Sequence, residues 1–249
     1  MSPMLTIAKR EFRSYFDSPL AYVVICLSFL ALGLMFFTLG GGFWQADRSS
    51  VDRLFEYAPM GLSTLVVPVV TMRLVAEERR SGTLEMLITL PVRDSDVVLG
   101  KYIGALGLVL VLVLGTLVYP ISMFRFPWVL GPLDVGPVVS GYLGLVLFSA
   151  AATSLGLMIS SFADSQAVAF FLTFFALAAL WFFDNAAQFL ISSGFASSAA
   201  GVLQYVSFQT RLSGFWRGLV DLRDIVFFLS VTILCLLVAF RALERRKWA

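Results

Sequence analysis

The chain has 249 residues, of which 59% are hydrophobic and only 14% are charged. Its mean hydropathy is +0.89, whereas soluble globular domains contain about 45–50% apolar residues. A single core cannot bury this excess, so the composition predicts an all-α integral membrane protein. The net charge of +2 gives no reason to expect nucleic acid as a partner, and the absence of histidine excludes every mechanism that needs an imidazole.

A short amphipathic helix is predicted ahead of the first apolar run. Over residues 5–16, apolar side chains recur every three to four residues opposite a basic face, which is typical of a helix lying in the headgroup plane. Its predicted interfacial residues are Lys9, Arg10, Phe12, Arg13, Tyr15 and Phe16. The apolar run that follows has about 20 residues and no small-residue cleavage site, so we expect the segment to be retained.

Six apolar runs are long enough to cross a bilayer, and polar or Gly/Pro-marked connections separate them. They lie near residues 20–40, 57–74, 97–120, 138–162, 166–190 and 225–241. Because Pro59 and Pro68 interrupt the second run, its exact length stays open. The sequence predicts one transmembrane domain over residues 1–249, in which the interfacial helix (1–19) precedes a six-helix bundle (20–249).

The distribution of basic residues predicts the orientation. With a cytoplasmic N-terminus, twelve of the 18 Lys and Arg residues fall in the cytoplasmic segments and six fall on the other side. Such a bias marks the cytoplasmic side of membrane proteins. Six spans also return the chain to the side where it began. Both termini are therefore expected in the cytoplasm.

The chain carries no recognisable catalytic motif. The pair Gly100-Lys101 lacks the upstream glycine of a phosphate-binding loop and is followed by Tyr102. Triad and zinc-protease chemistry both require histidine. Asp164 and Asp184 lie at opposite ends of the fifth run, about 30 Å apart on a helix, so they cannot share a proton. We expect neither an enzyme nor a cofactor or metal site in this chain.

The connection between the second and third runs, residues 73–92, is the most informative polar stretch. A charged run at residues 77–80 stops at a Ser-Gly pair, and a short helix follows with Leu84 and Leu87 on one face. Such a helix is suited to docking on another protein. An ordinary solvated loop with positive charge would show the same charge run, so the pattern alone leaves both interpretations open.

Residues 77–92, EERRSGTLEMLITLPV, resemble the cytoplasmic signature of ABC-2-type transporter permeases. Three further stretches resemble the same family, at residues 9–22, at 155–166, and at 217–228 together with 243–248. The first and last stretches are most similar to the gliding-motility-associated and nitrous-oxide-reductase-maturation permeases, with the former preferred. The resemblance covers nearly the whole chain.

The resemblance implies a permease subunit that couples ATP hydrolysis by a separate ABC ATPase subunit to export across the bacterial inner membrane. ATP and Mg²⁺ would be bound by that partner. A second permease copy, identical or related, would complete the path, and an auxiliary periplasmic subunit would be a possible further partner. The alternative is a membrane anchor that recruits an ATPase to a motility or secretion machine without moving substrate.

In that family the short helix between the second and third spans seats in a cleft of the ATPase, and the N-terminal helix flanks it. Carried onto this sequence, the charges would pair at the docking rim, Ser-Gly would permit a sharp turn, and two leucines would be the anchors. The implied ATPase-coupling residues are Glu77, Glu78, Arg79, Arg80, Ser81, Gly82, Thr83, Leu84, Glu85 and Leu87.

The family also carries a re-entrant hairpin on the outer side, between the fifth and sixth spans. Residues 184–224 are rich in Gly and Ser on an apolar background, and irregular backbone at membrane depth is tolerated only where protein or water satisfies it. An outer gate with Gly194, Gly201, Gly214 and Gly218 is therefore expected. A plain extracellular loop has the same composition.

Overall fold

The computed structural model describes residues 3–38, 52–80, 82, 93–124, 134–193 and 197–245. These residues form helices joined by short turns. The helices are α1 (Pro3–Phe16), α2 (Pro19–Thr38), α3 (Asp52–Gly61), α4 (Val67–Thr71), α5 (Ala76–Arg80), α6 (Asp94–Gly115), α7 (Val118–Phe124), α8 (Val135–Phe162), α9 (Gln166–Ser192), α10 (Ser197–Val206), α11 (Phe208–Trp216) and α12 (Leu222–Arg245).

The helices confirm the predicted all-α membrane fold. Five stretches are long and apolar enough to cross a bilayer, and their ends lie within five residues of the predicted limits. A sixth is counted if α1 and α2, which are bent by 71° relative to each other, form one span. The five stretches are Leu54–Arg79, Asp94–Ser122, Val135–Phe162, Gln166–Ser192 and Leu222–Glu244.

The second span, whose length the sequence left open, runs for 26 residues through both prolines. Between α3 and α4 it contains a π-helical segment, Leu62–Val66. The Ser63 and Thr64 hydroxyls both donate to the Met60 carbonyl, at 2.9 and 2.8 Å. Hydroxyl donors of this kind help to satisfy backbone groups where a membrane helix is irregular.

The centre of the bundle is α8. All residues from 151 to 157 are buried, so this part of the helix is covered on every side, as expected of a central helix in a bundle. It packs against α12 along much of its length and also against α6, α9 and α11. Its first residues lie beside α11 and its last residues beside α5. These contacts define two ends of the bundle, the α5 end and the α11 end.

α1 packs closely on α6 because α6 presents a groove of three glycines, Gly100, Gly104 and Gly107. A Cβ atom added at Gly104 would lie 2.7 Å from the Glu11 Cβ and 3.0 Å from the Ala8 carbonyl oxygen. Small residues let helix backbones approach each other in this way. The glycine groove is thus filled within the chain.

We expect Gly104→Val to displace α1 from this groove and to lower the free energy of unfolding by roughly 1–3 kcal/mol, the usual cost of overpacking. The measurement is the apparent melting temperature of the detergent-solubilised protein. Gly201→Val is the control, because nothing lies within 4 Å of a Cβ added at Gly201. Equal melting temperatures for the two variants would contradict this packing.

Candidate functional site

The short helix α5 forms the end of the second span and precedes residues 81–92, and its beginning is bound to α8. The backbone amides of Val75 and Ala76 donate to the Ser160 hydroxyl at 3.2 and 3.3 Å. Glu77 and Glu78 occupy the first turn of α5, where carboxylates are favoured by the positive end of the helix dipole. The start of α5 is therefore fixed to the central helix.

An ion-pair network around the buried Lys101, Glu11–Lys101–Glu78, joins three helices at this place. The Lys101 ammonium, in the second turn of α6, donates to Glu78 Oε1 at 2.6 Å and to Glu11 Oε1 at 3.0 Å. Lys101 is only 2% exposed, and a buried ammonium is tolerated when carboxylates pair with it. The network connects α1, α5 and α6.

A second contact joins α5 to the turn between α8 and α9. The Arg79 guanidinium pairs with Asp164 at 2.5 Å and donates to the carbonyls of Phe162 and Ala163 at 3.3 and 3.2 Å. Because Asp164 is largely exposed, the charge pair itself contributes little stability. The carbonyls belong to the C-terminus of α8, where a cation is favourable.

The N-terminal helix also contacts the second span directly. The Tyr15 hydroxyl donates to the Val70 carbonyl at 2.9 Å. This carbonyl is free to accept because the Leu74 amide, its usual helical partner, donates to the Thr71 carbonyl instead. Burial, and next the nearby Glu11 carboxylate, raise the pKa of Tyr15 above its ordinary value. The phenol therefore remains protonated and keeps its role as a donor.

Three of the four charges predicted at the docking rim have partners within the chain. Glu77 pairs with Arg73 at 3.0 Å, while Glu78 and Arg79 make the contacts given above. Gly82 adopts φ +70°, a conformation that favours glycine in a sharp turn. Arg80 is the last residue of α5. The remaining coupling residues lie outside the described residues: Ser81, Thr83, Leu84, Glu85 and Leu87.

The interfacial residues of α1 divide between two environments. Tyr15 is buried, and Phe12 and Phe16 are half-buried. The basic residues are all exposed: Lys9, Arg10 and Arg13.

The sequence did not identify three of the residues that fix α5, namely Glu11, Ser160 and Lys101. In the sequence, Lys101 stands out as one of the basic residues on the cytoplasmic side and as part of a Gly-Lys pair without a phosphate-binding loop. Its position inside an apolar run was the one available signal, because an ionisable residue there usually has a partner. The residues that pair with it are 90 and 23 positions away in the sequence.

The α11 end of the bundle contains a hairpin formed by α10 and α11. These helices have 10 and 9 residues, about half the length needed to cross a bilayer. The Phe208 ring, at the start of α11, lies 5.6 Å from the ring of Phe148, near the midpoint of α8. The hairpin therefore enters the bundle and returns to the same end, as predicted for a re-entrant segment.

Arg211 attaches this hairpin to α12. Its guanidinium pairs with Asp224 at 2.9 Å and donates to the Tyr205 carbonyl at 3.2 Å. The same group lies over the rings of Tyr205 and Phe227, at 4.2 and 5.1 Å from their centroids, where it gains cation–π attraction. Arg211 thus joins α10, α11 and the first turns of α12.

The predicted gate glycines have different roles in the structure. Gly218 adopts φ +85°, and the Leu219 amide donates to the Gly214 carbonyl at 3.0 Å, which is the Schellman arrangement at the end of α11. Gly201 is exposed, and nothing lies within 4 Å of a Cβ added at this position. Gly194 lies outside the described residues.

Comparison with known proteins identifies the family. The family model of ABC-2 type transporters matches residues 3–188, which include α1 to α8 and most of α9. The comparison with curated proteins found no match. Since the family model covers more than half of the chain, the protein belongs to the ABC-2 type transporter family and is a transmembrane permease.

Proposed function

We propose that this permease couples ATP hydrolysis by a separate ABC ATPase subunit to export of a substrate across the bacterial inner membrane. ATP and its Mg²⁺ are bound by that partner, and the present chain supplies the path and no catalytic site. The α5 end is the cytoplasmic side, on which both termini lie. The bias of basic residues toward this side supports the orientation.

The observation that carries this proposal is the ion pair between Glu78 and Lys101. Glu78 precedes residues 81–92 and Lys101 follows them, so their contact joins the helices on either side of this segment, α5 and α6. A force applied to the segment is therefore transmitted to the second and third spans together. The Glu11 carboxylate extends the same connection to α1.

The segment at residues 81–92 contains the proposed docking surface, with Leu84 and Leu87 as its apolar anchors. Because Glu77, Glu78 and Arg79 have partners within the chain, the leucines are the stronger candidates for direct contact with the ATPase. A partner that closes on ATP shifts the permease only if it binds one permease state better than the other. Because the Glu78–Lys101 ion pair joins the helices that flank the segment, a shift of the segment is passed on to the second and third spans.

At the opposite end, we propose that the α10–α11 hairpin forms the outer gate. A second permease copy, identical or related, encloses the path with the first one. The closer similarity to gliding-motility-associated permeases, and an auxiliary periplasmic subunit, remain predictions from the sequence. The hairpin lies beyond the residues that the family model matches.

We expect Leu84→Asp or Leu87→Asp to release the ATPase from the detergent-solubilised complex, because a carboxylate in an apolar cleft is costly to desolvate. The measurement is co-purification of the ATPase with the tagged permease. The variant permeases should still insert in the membrane. Leu219→Asp is the matched control, since Leu219 is 66% exposed and lies at the α11 end.

Unchanged co-purification of both leucine variants would count against the docking assignment. The alternative function, a membrane anchor, makes a different prediction in reconstituted vesicles. An anchor would bind the ATPase and stimulate hydrolysis while a lipid-linked or glycan cargo stays on one side. Movement of cargo that depends on hydrolysis supports the permease.

A further inference from the structure

The surface of α1 has three sides with different chemistry. One side fills the glycine groove of α6. A second side is apolar and includes Leu5, which is 50% exposed, and the half-buried Phe12 and Phe16. A third side is basic, because Lys9, Arg10 and Arg13 fall within about 100° of one another around the helix and all three are exposed. We call these three cations the basic edge.

The basic edge has no counter-ion within the described part of the chain. The ion pairs found there involve other cations, and the one carboxylate of α1, Glu11, is bound to Lys101. Three uncompensated cations on one helix face favour an anionic partner. The partner must also accept the apolar side that adjoins them.

Aromatic rings mark the level of this helix relative to the bilayer. The rings of Phe12 and Phe16 lie 5.1 Å apart, and Phe16 lies 6.2 Å from Tyr22. Tyr22 is 55% exposed at the start of α2, the place where aromatic residues gather at a membrane interface. The apolar side of α1 therefore continues into the first span at interface depth.

We propose that the basic edge binds anionic phospholipid headgroups of the adjacent leaflet. The apolar side inserts at the boundary between headgroups and acyl chains, and the three cations then lie at the level of the phosphates. A protein partner with an acidic surface would satisfy the charges. It would leave Leu5 and the aromatic rings of Phe12, Phe16 and Tyr22 without an apolar environment. The proposal does not depend on coupling to the ATPase.

The test compares lipid binding by the full chain in detergent. Native mass spectrometry counts the phosphatidylglycerol and phosphatidylcholine molecules retained from an equimolar mixture. Each cation near an anionic surface contributes about a fivefold preference, so Arg10→Gln/Arg13→Gln should reduce the preference for phosphatidylglycerol by roughly 10- to 30-fold. The preference of the wild type should also fall as salt rises from 50 to 500 mM, because the charges are screened.

Two variants serve as controls. Arg217→Gln/Arg223→Gln makes the same change in charge at two exposed arginines of the α11 end and should leave the preference within about twofold of the wild type. Arg10→Lys/Arg13→Lys keeps the charge and should retain it. Retention by the lysine variant would show that the positive charge carries the binding. An unchanged melting temperature of the glutamine variant separates loss of binding from failure to fold.

Three results would overturn the proposal. The first is equal binding of both lipids by the wild type. The second is an equal loss of preference in Arg10→Gln/Arg13→Gln and in Arg217→Gln/Arg223→Gln. The third is that the Arg10→Gln/Arg13→Gln variant loses the ATPase while it keeps its preference for phosphatidylglycerol. That last result would assign the basic edge to a protein partner.

Discussion

Replacing Lys101 with methionine is expected to destabilise the permease and to abolish its stimulation of the partner ATPase. The change removes the cation that Glu11 and Glu78 share, and breaking a buried ion pair on one side typically costs 3–5 kcal/mol. The link between α1, α5 and α6 is lost with it. The melting temperature in detergent and the ATPase rate of the reconstituted complex measure the two effects.

Further variants separate stability from coupling. Lys101→Arg keeps the charge and should preserve part of both properties. The triple change Lys101→Met/Glu11→Gln/Glu78→Gln removes the buried charges together, which is often neutral for stability. We expect this triple variant to recover the melting temperature while ATPase stimulation stays low. Full stimulation in the triple variant would contradict the role of the ion pairs in coupling.

Replacing Arg211 with leucine is expected to detach the hairpin from α12. Arg211 and Asp224 each have side chains 15% exposed, so the remaining carboxylate would lie largely buried without its cation, at a cost of roughly 3 kcal/mol or more. That cost corresponds to about a 100-fold increase in local opening. Hydrogen–deuterium exchange of residues 197–221 in the solubilised protein measures it.

Arg223→Leu is the control, because Arg223 is exposed on the first turn of α12 and forms no ion pair with a described residue. Its exchange rates should match those of the wild type. Addition of Asp224→Leu to the Arg211→Leu variant should restore part of the protection, since no buried charge is left. Unchanged exchange in the Arg211→Leu variant would show that the other contacts of the hairpin, such as the hydrogen bonds from Ser140 to Phe215 and from Thr210 to Asp184, hold it without this ion pair.

The spans were predictable because lipid restricts a chain strongly. Each long apolar run must satisfy its backbone hydrogen bonds internally, and a helix does this. The observed ends extend beyond the predicted runs at residues such as Asp94 and Arg79, which carry charge but continue the helical backbone. The π-helical segment at Leu62–Val66 was not predicted, although the two prolines indicated an irregular span.

The pairing of charges could not be read from the sequence. Lys101 and Glu11 are 90 residues apart, and Arg79 contacts residues near Asp164. Such contacts depend on how the spans pack, and apolar periodicity does not determine this. The predicted docking rim illustrates the difference. The sequence predicts that its charges pair with a partner protein, whereas Glu78 in the structure is part of the network that fixes α5 to the bundle.

The hairpin shows the opposite case, in which a resemblance predicted more than composition did. Gly and Ser residues fit a plain loop equally well, but α10 and α11 are helical and reach Phe148. Gly218 was singled out for its residue type, and its positive φ gives it a physical role at the end of α11. Gly201 has no such role, because nothing lies within 4 Å of a Cβ added at that exposed position.

Photo-crosslinking of the intact complex tests the central claim most directly. A benzophenone amino acid at position 84 or 87, introduced in the permease and co-expressed with its ATPase, should form a crosslink to the ATPase subunit. The same group at position 219 should form none. An intact complex that shows no crosslink from either position 84 or 87 would contradict the account, because the ATPase would then transmit its closure through another surface.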